Sequence, residues 1–539
     1  MRRPHTLSRK ALPVRGSRAR STIATLQWFP VAVAAVYLAV FVDRFTALIQ
    51  RIYEDSDVAM FAVAAQTAHY GSRVAFGHFG SYTAWWFALA TRSVPFHREV
   101  WEIAPCVFVL AMVALLAWPT RRLAGPWAAS MTLVIGLAAS PVVTKSRLTP
   151  VFHATASIGA VAMAAFVMWL MRHPSRRRLA VVGALAAVFA GTTLASDPLF
   201  EVVGLVPFCI TGALLVLVWR RRFEGLVVLA CSVASIPISA LTSWVMTRMH
   251  VVVVNRAAVG VARLSDLWPN TKRMVGLIVQ LGNGNYTGAA RTHPALSGHY
   301  LGSLACGVIM LAAAAAPFAL LRRSSRASVR STELSVWASF WSVCVAANCA
   351  AFALSVEGTH FGYYLVTVLY AGAATAPVLL ASTAARRTVA GLAISVVAAA
   401  SVVNLASGSI FGGPSLLDPV ADRIVAIAKA QHAPYGYADY WDSSSLTWSS
   451  RAQVQVQPVL YCQPGKLCPL SYNVVSTWYR PRLSRSFVLQ DARSQMMTRK
   501  PPASLGRPTA TVALGHGFTM YIYPYDVARR LDQTSPVWG

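Results

Sequence analysis

Residues 175–222 read SRRRLAVVGALAAVFAGTTLASDPLFEVVGLVPFCITGALLVLVWRRR. Two apolar runs, 179–196 and 199–219, are joined by Ser196-Asp197-Pro198 and closed at their far ends by Arg176–Arg178 and Arg220–Arg222. A helix needs about 20 mainly apolar residues to cross the hydrocarbon core of a bilayer. Arginine beside such a run is retained in the cytoplasm. The stretch therefore predicts a helical hairpin with both ends inside and an acidic tip outside.

The same alternation runs along the whole chain. The other arginine-rich loops are Arg121-Arg122, Arg172 with Arg176–Arg178, Arg322 to Arg330, Arg386-Arg387 and the N-terminal tail. Between them lie loops of other chemistry: Glu54-Asp55-Ser56-Asp57, Lys145/Arg147, Ser196-Asp197, residues 250–300 and Glu357 to His360. About eleven spans follow, at 24–42, 101–118, 127–143, 151–171, 179–196, 199–219, 225–248, 300–321, 334–355, 361–382 and 388–407. Starting inside, this count keeps every arginine-rich loop cytoplasmic and puts the C-terminal part outside. Segment 81–97 is apolar but short, and it holds Arg92 and Pro95. As a span it would invert every later loop, so it is expected as a helix lying in the outer interface, with Trp85 and Trp86 as belt residues.

Composition agrees. The 539 residues are 56% hydrophobic and 12% charged, and the mean hydropathy is +0.51. The formal charge of +29 belongs to span ends rather than to one face, and no zinc-finger or RNA-binding motif accompanies it, which argues against nucleic acid. Topology determinants beside anionic lipid account for it. The first span follows a basic tail but has no small-residue cleavage site, so it is expected to stay as an anchor. The spans are nearly free of ionisable groups, unlike those of proton-coupled pumps. No Walker loop, haem site, serine triad or HExxH appears, and no internal repeat.

Three parts are expected: a basic cytoplasmic tail (1–22), a helical membrane body (23–407) and an extracytoplasmic domain (408–539). In the last, Asp418 to Gln431 reads as a helix, and AQVQVQPVLYC, TATVAL and FTMYIY read as strands. The fold class is thus an all-α polytopic membrane protein with a small C-terminal α/β or α+β domain. Six cysteines fall in spans, where they behave as small apolar residues. Cys462 and Cys468 flank a Pro-Gly turn outside, with no further zinc ligand near, and a disulfide is expected there.

Acids are scarce, so their placement is informative. Glu54, Asp55 and Asp57 stand on the outer side just after the first span. Capping would explain one of them, and three within four residues suggest catalysis or ligand binding. Asp197 before Pro198 reads either as an N-cap or as part of a site. His360, Tyr363 and Tyr364 form a polar turn entering an aromatic helix start. Lys145, Arg147, Arg256 and Arg263 put positive charge on the outer side, suited to a lipid phosphate or to pairing with the outer acids. The outer stretches VAMFAVAAQTAHYG and NTKRMVGLIVQL are expected as helices lying in the interface.

These pieces together resemble the GT-C superfamily of membrane glycosyltransferases, in the branch of bacterial aminoarabinose transferases and protein mannosyltransferases. The resemblance rests on EDSDVAMFAVAAQTAHYG (54–71), SDPLFEVVGLVPF (196–208), THFGYYLVTVLYAGAATAP (359–377) and YGYADYWDSSSLTW (435–448). Two departures stand out. The first-loop acids are Asp55-Ser56-Asp57 preceded by Glu54, and His360-Phe361-Gly362 stands where the family has an arginine before tyrosine.

The resemblance implies an inverting transferase in a bacterial inner membrane. Its donor would be a polyprenyl-phosphate-linked sugar and its acceptor a cell-envelope glycan, lipid or protein. Asp55, or next Asp57, would be the general base. Lys145, Arg147, Arg256 and Arg263 would stabilise the leaving phosphate, with Glu54, Asp197, His360, Tyr363 and Tyr364 binding substrate. Asp55 and Asp57 also offer oxygen ligands to a divalent metal, and no other cofactor is expected. A lipid or polysaccharide transporter and a non-catalytic partner of an envelope assembly are the competing readings.

Overall fold

The computed structural model describes residues 17–52, 55–68, 72–77, 81–90, 98–148, 154–172, 175–253, 260–284, 298–325, 332–356, 362–381, 384–406, 417–463, 465–494, 497 and 500–532. Its helices are α1 (Ser17–Ile52), α2 (Ser56–Thr67), α3 (Ser81–Ala90), α4 (Arg98–Ala124), α5 (Pro126–Gly136), α6 (Pro141–Leu148), α7 (Ala154–Leu170), α8 (Arg176–Ser196), α9 (Val206–Leu217), α10 (Arg222–Arg248), α11 (Leu267–Leu281), α12 (Gly298–Ser324), α13 (Thr332–Leu354), α14 (Val366–Leu380), α15 (Ala384–Ala406), α16 (Leu417–Ala430) and α17 (Tyr440–Ser449). The strands are β1 (Val74–Phe76), β2 (Val251–Val253), β3 (Tyr435–Ala438), β4 (Gln455–Gln463), β5 (Lys466–Pro469), β6 (Val474–Val475), β7 (Ser486–Asp491), β8 (Ala510–Gly515) and β9 (Phe518–Tyr523).

Among the described residues, 8 helices are long and apolar enough to cross a membrane. They coincide with eight of the expected spans. The other three are the shorter apolar helices Pro126–Gly136, Ala154–Leu170 and Glu201–Leu217. The sharpest departure is at 127–143. There α5 has 11 residues, a rise of about 16 Å against a core of about 30 Å. Pro141, which has no N–H to continue the ladder, opens α6 beyond a turn at 137–140, so the expected span is a broken helix. Helix α9 is entered through a π-helical turn, Glu201–Leu205.

The arginine-rich ends gather as the charge pattern requires. Arg172 lies 5.7 Å over the Trp118 ring. Arg122 pairs with Glu333 at the start of α13. Arg323 donates to the Leu379 carbonyl at 3.1 Å, and Arg387 to Ala381 at 2.9 Å. Four arginine loops therefore share one end of the bundle.

Helix α14 is the axis of the bundle, buried along Val366–Val378 and packed against α4, α5, α12 and α13. Its run of Ala, Gly and Thr lets neighbours approach closely, which is how helices bind one another in lipid. A Cβ at Gly372 would stand 2.9 Å from Ala313 Cβ and 3.1 Å from its backbone. Polar side chains of neighbouring helices bond its carbonyls: Trp337 Nε1 to Ala374 at 2.9 Å and Thr132 Oγ1 to Ala373 at 2.9 Å.

The C-terminal part is a 6-stranded mixed sheet in the order β5-β4-β3-β7-β9-β8. Strands β4 and β7 run parallel to the central β3, and β5, β8 and β9 are antiparallel additions. One face, with Val456, Phe487, Leu489, Met520 and Ile522, packs on α16. The other, with Tyr437, Val488, Tyr521 and Tyr523, is continuous with the core of the membrane body. FTMYIY, expected as a strand, is β9, and it is buried on both faces. Cys462 and Cys468 form the expected disulfide on the β4–β5 hairpin, with Cα atoms 5.8 Å apart. The other six cysteines are free.

A second, 3-stranded sheet, β2-β1-β6, ties the 43–100 loop to the 249–299 loop and to the C-terminal part. With it come two corrections. Helix α2 does not lie in the interface. Residues Ser56–Ala65 are all buried, because α3, α17 and β6 pack around it. Trp85 is not a belt residue: it is 3% exposed, its ring 5.7 Å from that of Phe76. Trp86 stays exposed, and so do Trp268 and Val275 of the amphipathic α11.

Gly372→Val should drive a branched side chain into the backbone of α12, an overpacking cost of about 1–3 kcal/mol. The thermal transition in detergent micelles should fall clearly below that of the wild type. An unchanged midpoint would mean that α12 and α14 can part freely.

Candidate active site

Helix α2 begins where the first span ends. Asp55 is its N-cap, with extended backbone (φ −91, ψ 118), and its carboxylate accepts from the Asp57 N–H at 3.0 Å. Asp55 is exposed, whereas Asp57, two residues on, is 8% exposed. Helical geometry turns the two carboxylates to different sides of the chain.

The Asp57 side is closed by α17 and the segment before β6. The Tyr440 hydroxyl donates to Asp57 Oδ1, and so does Asn473 Nδ2 at 3.2 Å. Asn473 in turn donates to the Tyr440 hydroxyl and accepts from the Gly77 N–H at 2.8 Å. Ser56 continues the seam. Its hydroxyl donates to the Trp441 carbonyl at 2.9 Å and accepts from the Ser445 N–H at 3.2 Å. Burial pushes the Asp57 carboxyl up to about 8, the Asp55 carboxylate adds to the shift, and the Asn473 hydrogen bond opposes it. Asp57 is thus largely protonated at neutral pH.

Tyr363, Tyr364 and Arg147 lie elsewhere. Helices α6 and α11 pack on the turn Gly362–Leu365, where a Cβ at Gly362 would meet Val142 at 2.8 Å and Leu277 at 3.4 Å. Tyr363 and Tyr364 stand there half-buried, ring centroids 4.7 Å apart. Arg147, on α6, does not face outer water: it is 5% exposed. Its guanidinium donates to the Gly136 carbonyl, to Ala138 at 2.8 Å and to the Tyr370 hydroxyl at 2.9 Å. It therefore caps the broken end of α5, where unsatisfied carbonyls and the negative end of the helix dipole meet. Around the same break, Asn404 donates to Ala139 at 3.1 Å and Ser401 accepts from the Ala139 N–H at 3.0 Å.

Asp197 is fully buried and caps the next turn, its carboxylate accepting from the Leu199 N–H at 3.0 Å. That is the N-cap alternative drawn from Asp197-Pro198. Arg263 is exposed beside a bridge that clips its loop to the end of α13, with Ala262 N–H to Leu354 at 2.7 Å and Val356 N–H to Gly260 at 2.9 Å. Glu54, Arg256 and His360 lie outside the described residues, as does the Lys145 side chain. Tyr440 and Asn473 were not foreseen. The stretch YGYADYWDSSSLTW drew notice by resemblance alone, and Asn473 has no signal in the sequence.

No family model and no curated sequence matches this chain. Solved structures similar to it include the apo oligosaccharyltransferase of Archaeoglobus fulgidus, 12% identical over 80% of this chain and 64% of that one, with a TM-score of 0.43. The same protein in complex with Zn and sulfate is 13% identical over 79% and 62%, with a TM-score of 0.40. Apo ArnT from Cupriavidus metallidurans is 14% identical over 96% of this chain and 100% of that one, with a TM-score of 0.38. The chain spans less than two thirds of the oligosaccharyltransferase.

Two outcomes test this geometry. The Asp57 carboxyl is raised in the folded state, so the native chain holds more protons than the unfolded chain between about pH 4 and 8, and its contribution to stability falls as pH rises through that window. The thermal midpoint of the wild type should accordingly drop more steeply from pH 5 to 8 than that of Asp57→Asn; parallel slopes would refute the burial argument. Arg147→Gln should leave buried carbonyls of α5 without donors, at about 1–3 kcal/mol for each group left unsatisfied. It should lower the midpoint more than Arg263→Gln does, and equal effects would contradict the capping role.

Proposed function

We propose that the chain is an integral membrane glycosyltransferase of the GT-C type, moving a sugar from a polyprenyl-phosphate donor to a cell-envelope acceptor on the non-cytoplasmic face. The N-terminus lies inside the cell and the C-terminal domain outside. The observation that carries the reading is the division of labour between two aspartates at the start of α2. Asp57 is buried, neutral and bonded to Tyr440 and Asn473. Asp55 is exposed at the end of a span, where a lipid donor held in the headgroup layer and an acceptor from the aqueous side can both reach it.

In this mechanism Asp55 accepts the proton of the acceptor hydroxyl as its oxygen attacks the anomeric carbon. The bond to the donor phosphate breaks on the opposite side, which inverts the configuration. The leaving phosphate is stabilised by outer cations, for which Arg263, Lys145 and Arg256 are the candidates. Arg147 is assigned instead to holding the broken helix α5. Asp55 and Asp57 do not fit a divalent metal together, because Asp57 is buried and its Oδ1 already accepts hydrogen bonds from Tyr440 and Asn473. No step is routed through a metal.

Asp55→Asn should lower transfer by about 10²–10⁴-fold, the usual contribution of a general base, while Asp57→Asn should retain most of it. The assay follows labelled sugar from a polyprenyl-phosphate donor onto envelope material in nanodiscs. Full activity of Asp55→Asn would remove the assignment, and movement of the donor without any change of bond would indicate a transporter.

A further inference from the structure

We propose that the arginine-bearing edge of the C-terminal part, built from residues 480–485, 503–507 and 527–530, seats on the anionic phospholipid headgroups beside the end of α10, with Leu483 entering the headgroup layer. The inference goes beyond the transferase reading and does not depend on it.

The edge is one surface made of three segments. The Arg482 N–H donates to Asp526 at 2.8 Å, the Arg529 guanidinium to the Arg482 carbonyl at 3.3 Å and the Arg530 guanidinium to the Ser504 carbonyl at 3.3 Å. The Ser486 hydroxyl donates to the Tyr525 carbonyl at 3.0 Å. Two aromatic rings underlie the surface: the Arg482 guanidinium lies 3.9 Å from the Tyr435 centroid, and that of Arg530 lies 4.6 Å from Tyr525. Arg480, Arg485, Arg507, Arg529 and Arg530 are exposed on it, and Arg482 is half-buried.

Charge there is unbalanced. None of these arginines forms an ion pair with a described residue. The acid among them, Asp526, is fully buried and takes hydrogen bonds from the Tyr437 hydroxyl at 2.5 Å and from the N–H groups of Arg482 and Ala528. Guanidinium groups held together repel one another, and an anion from outside the chain relieves that repulsion. Their planar fork matches the oxygens of a phosphate.

Position in the fold decides which anion. In the last turn of the span α10, Arg248 lies 5.4 Å over the ring of the exposed Trp244, an aromatic and a basic group such as gather at a membrane interface. Two residues on, the His250 carbonyl accepts from the Val74 N–H at 2.9 Å, and β1 pairs with β6 through Val74 and Val475. Ser476 is then bonded to Arg73 in both directions, at 2.9 and 3.0 Å. Arg480 follows Val475 by five residues, at most about 18 Å of extended chain, and the 3₁₀ turn Ser476–Tyr479 shortens that reach. The arginine edge therefore starts close to the end of a span. Leu483 separates lipid from a soluble polyanion. It is 96% exposed between Arg482 and Arg485, and an apolar tip among basic groups suits an anionic lipid surface. Seating there would also press on the segment that covers α2, since Trp478, two residues before Arg480, donates from Nε1 to Thr67 at 2.8 Å.

The test uses the full chain with an environment-sensitive fluorophore on Leu483→Cys, the unsubstituted chain serving as the labelling blank. Nanodiscs of phosphatidylcholine alone are compared with discs that also contain phosphatidylglycerol, each with nitroxide-labelled lipid as quencher. In the anionic discs the emission should shift to the blue and be quenched at least about fivefold more strongly than in the neutral discs, the effect of roughly one basic residue at such a surface, and high salt should reverse the change. Combined Arg480→Gln, Arg485→Gln and Arg529→Gln, all at exposed positions, should abolish the shift without lowering the thermal midpoint in neutral micelles. Water-like emission in the anionic discs, or a shift that persists without the three arginines, overturns the proposal. A shift that appears in neutral discs only when soluble polyphosphate is added overturns the lipid assignment. None of these readouts depends on sugar transfer.

Discussion

The structure turns on the contact between the first turn of α2 and the first turn of α17, where Ser56 and Trp441 meet across 385 residues of sequence. Ser56 and Asp57 on one side meet Tyr440, Trp441, Ser445 and Asn473 on the other. A buried carboxyl is tolerable when hydrogen bonds satisfy it and costly when they do not. Folding of the C-terminal sheet must therefore accompany burial of α2, because the same residues complete both. The small β2-β1-β6 sheet repeats the arrangement in backbone, with each outer loop supplying one strand and the C-terminal part the third.

A comparable constraint operates inside the bundle. A helix that stops partway across a membrane leaves carbonyls without donors, and lipid offers none. The α5–α6 break is stable because one arginine, two residues of α15 and Tyr37 of α1, whose hydroxyl donates to the Leu137 carbonyl at 2.8 Å, supply what the ladder lacks. Arginine suits the task better than lysine, since its planar fork reaches several oxygens at once and keeps its charge. The positive charge at this position belongs to architecture, although a reading by composition assigns it to phosphate.

How much of this was legible follows from the range of each signal. The spans and their common arginine-bearing end were readable, since hydropathy and charge are local properties of sequence. Strands β8 and β9 and the helix at 417–430 were readable for the same reason, through alternation and helical spacing. Strand β3 was not, because YGYA is four residues long and buried in the centre of a sheet, where alternation disappears. Burial of α2 was invisible, as its cover comes from residues 440–449 and 474–475. Arg147 misled because an arginine near a span end is ordinarily a loop residue, and here the span itself is broken. At the site, the position of the Asp55–Asp57 pair was legible, but the contrast between its members depends on Tyr440 and Asn473, which no spacing rule connects to them.

That contrast links the C-terminal part to chemistry. The Asp55 carboxylate, two residues away at the same helix start, adds to the burial that raises the Asp57 carboxyl. The cover over Asp57 makes it the partner that keeps its proton, while Asp55 stays exposed; in the proposed reaction it is the group that takes a proton from the acceptor. Were the C-terminal part to lift away, Asp57 would be hydrated, would ionise, and would place a second negative charge beside Asp55. The segment that covers α2 thus also sets the charge beside Asp55.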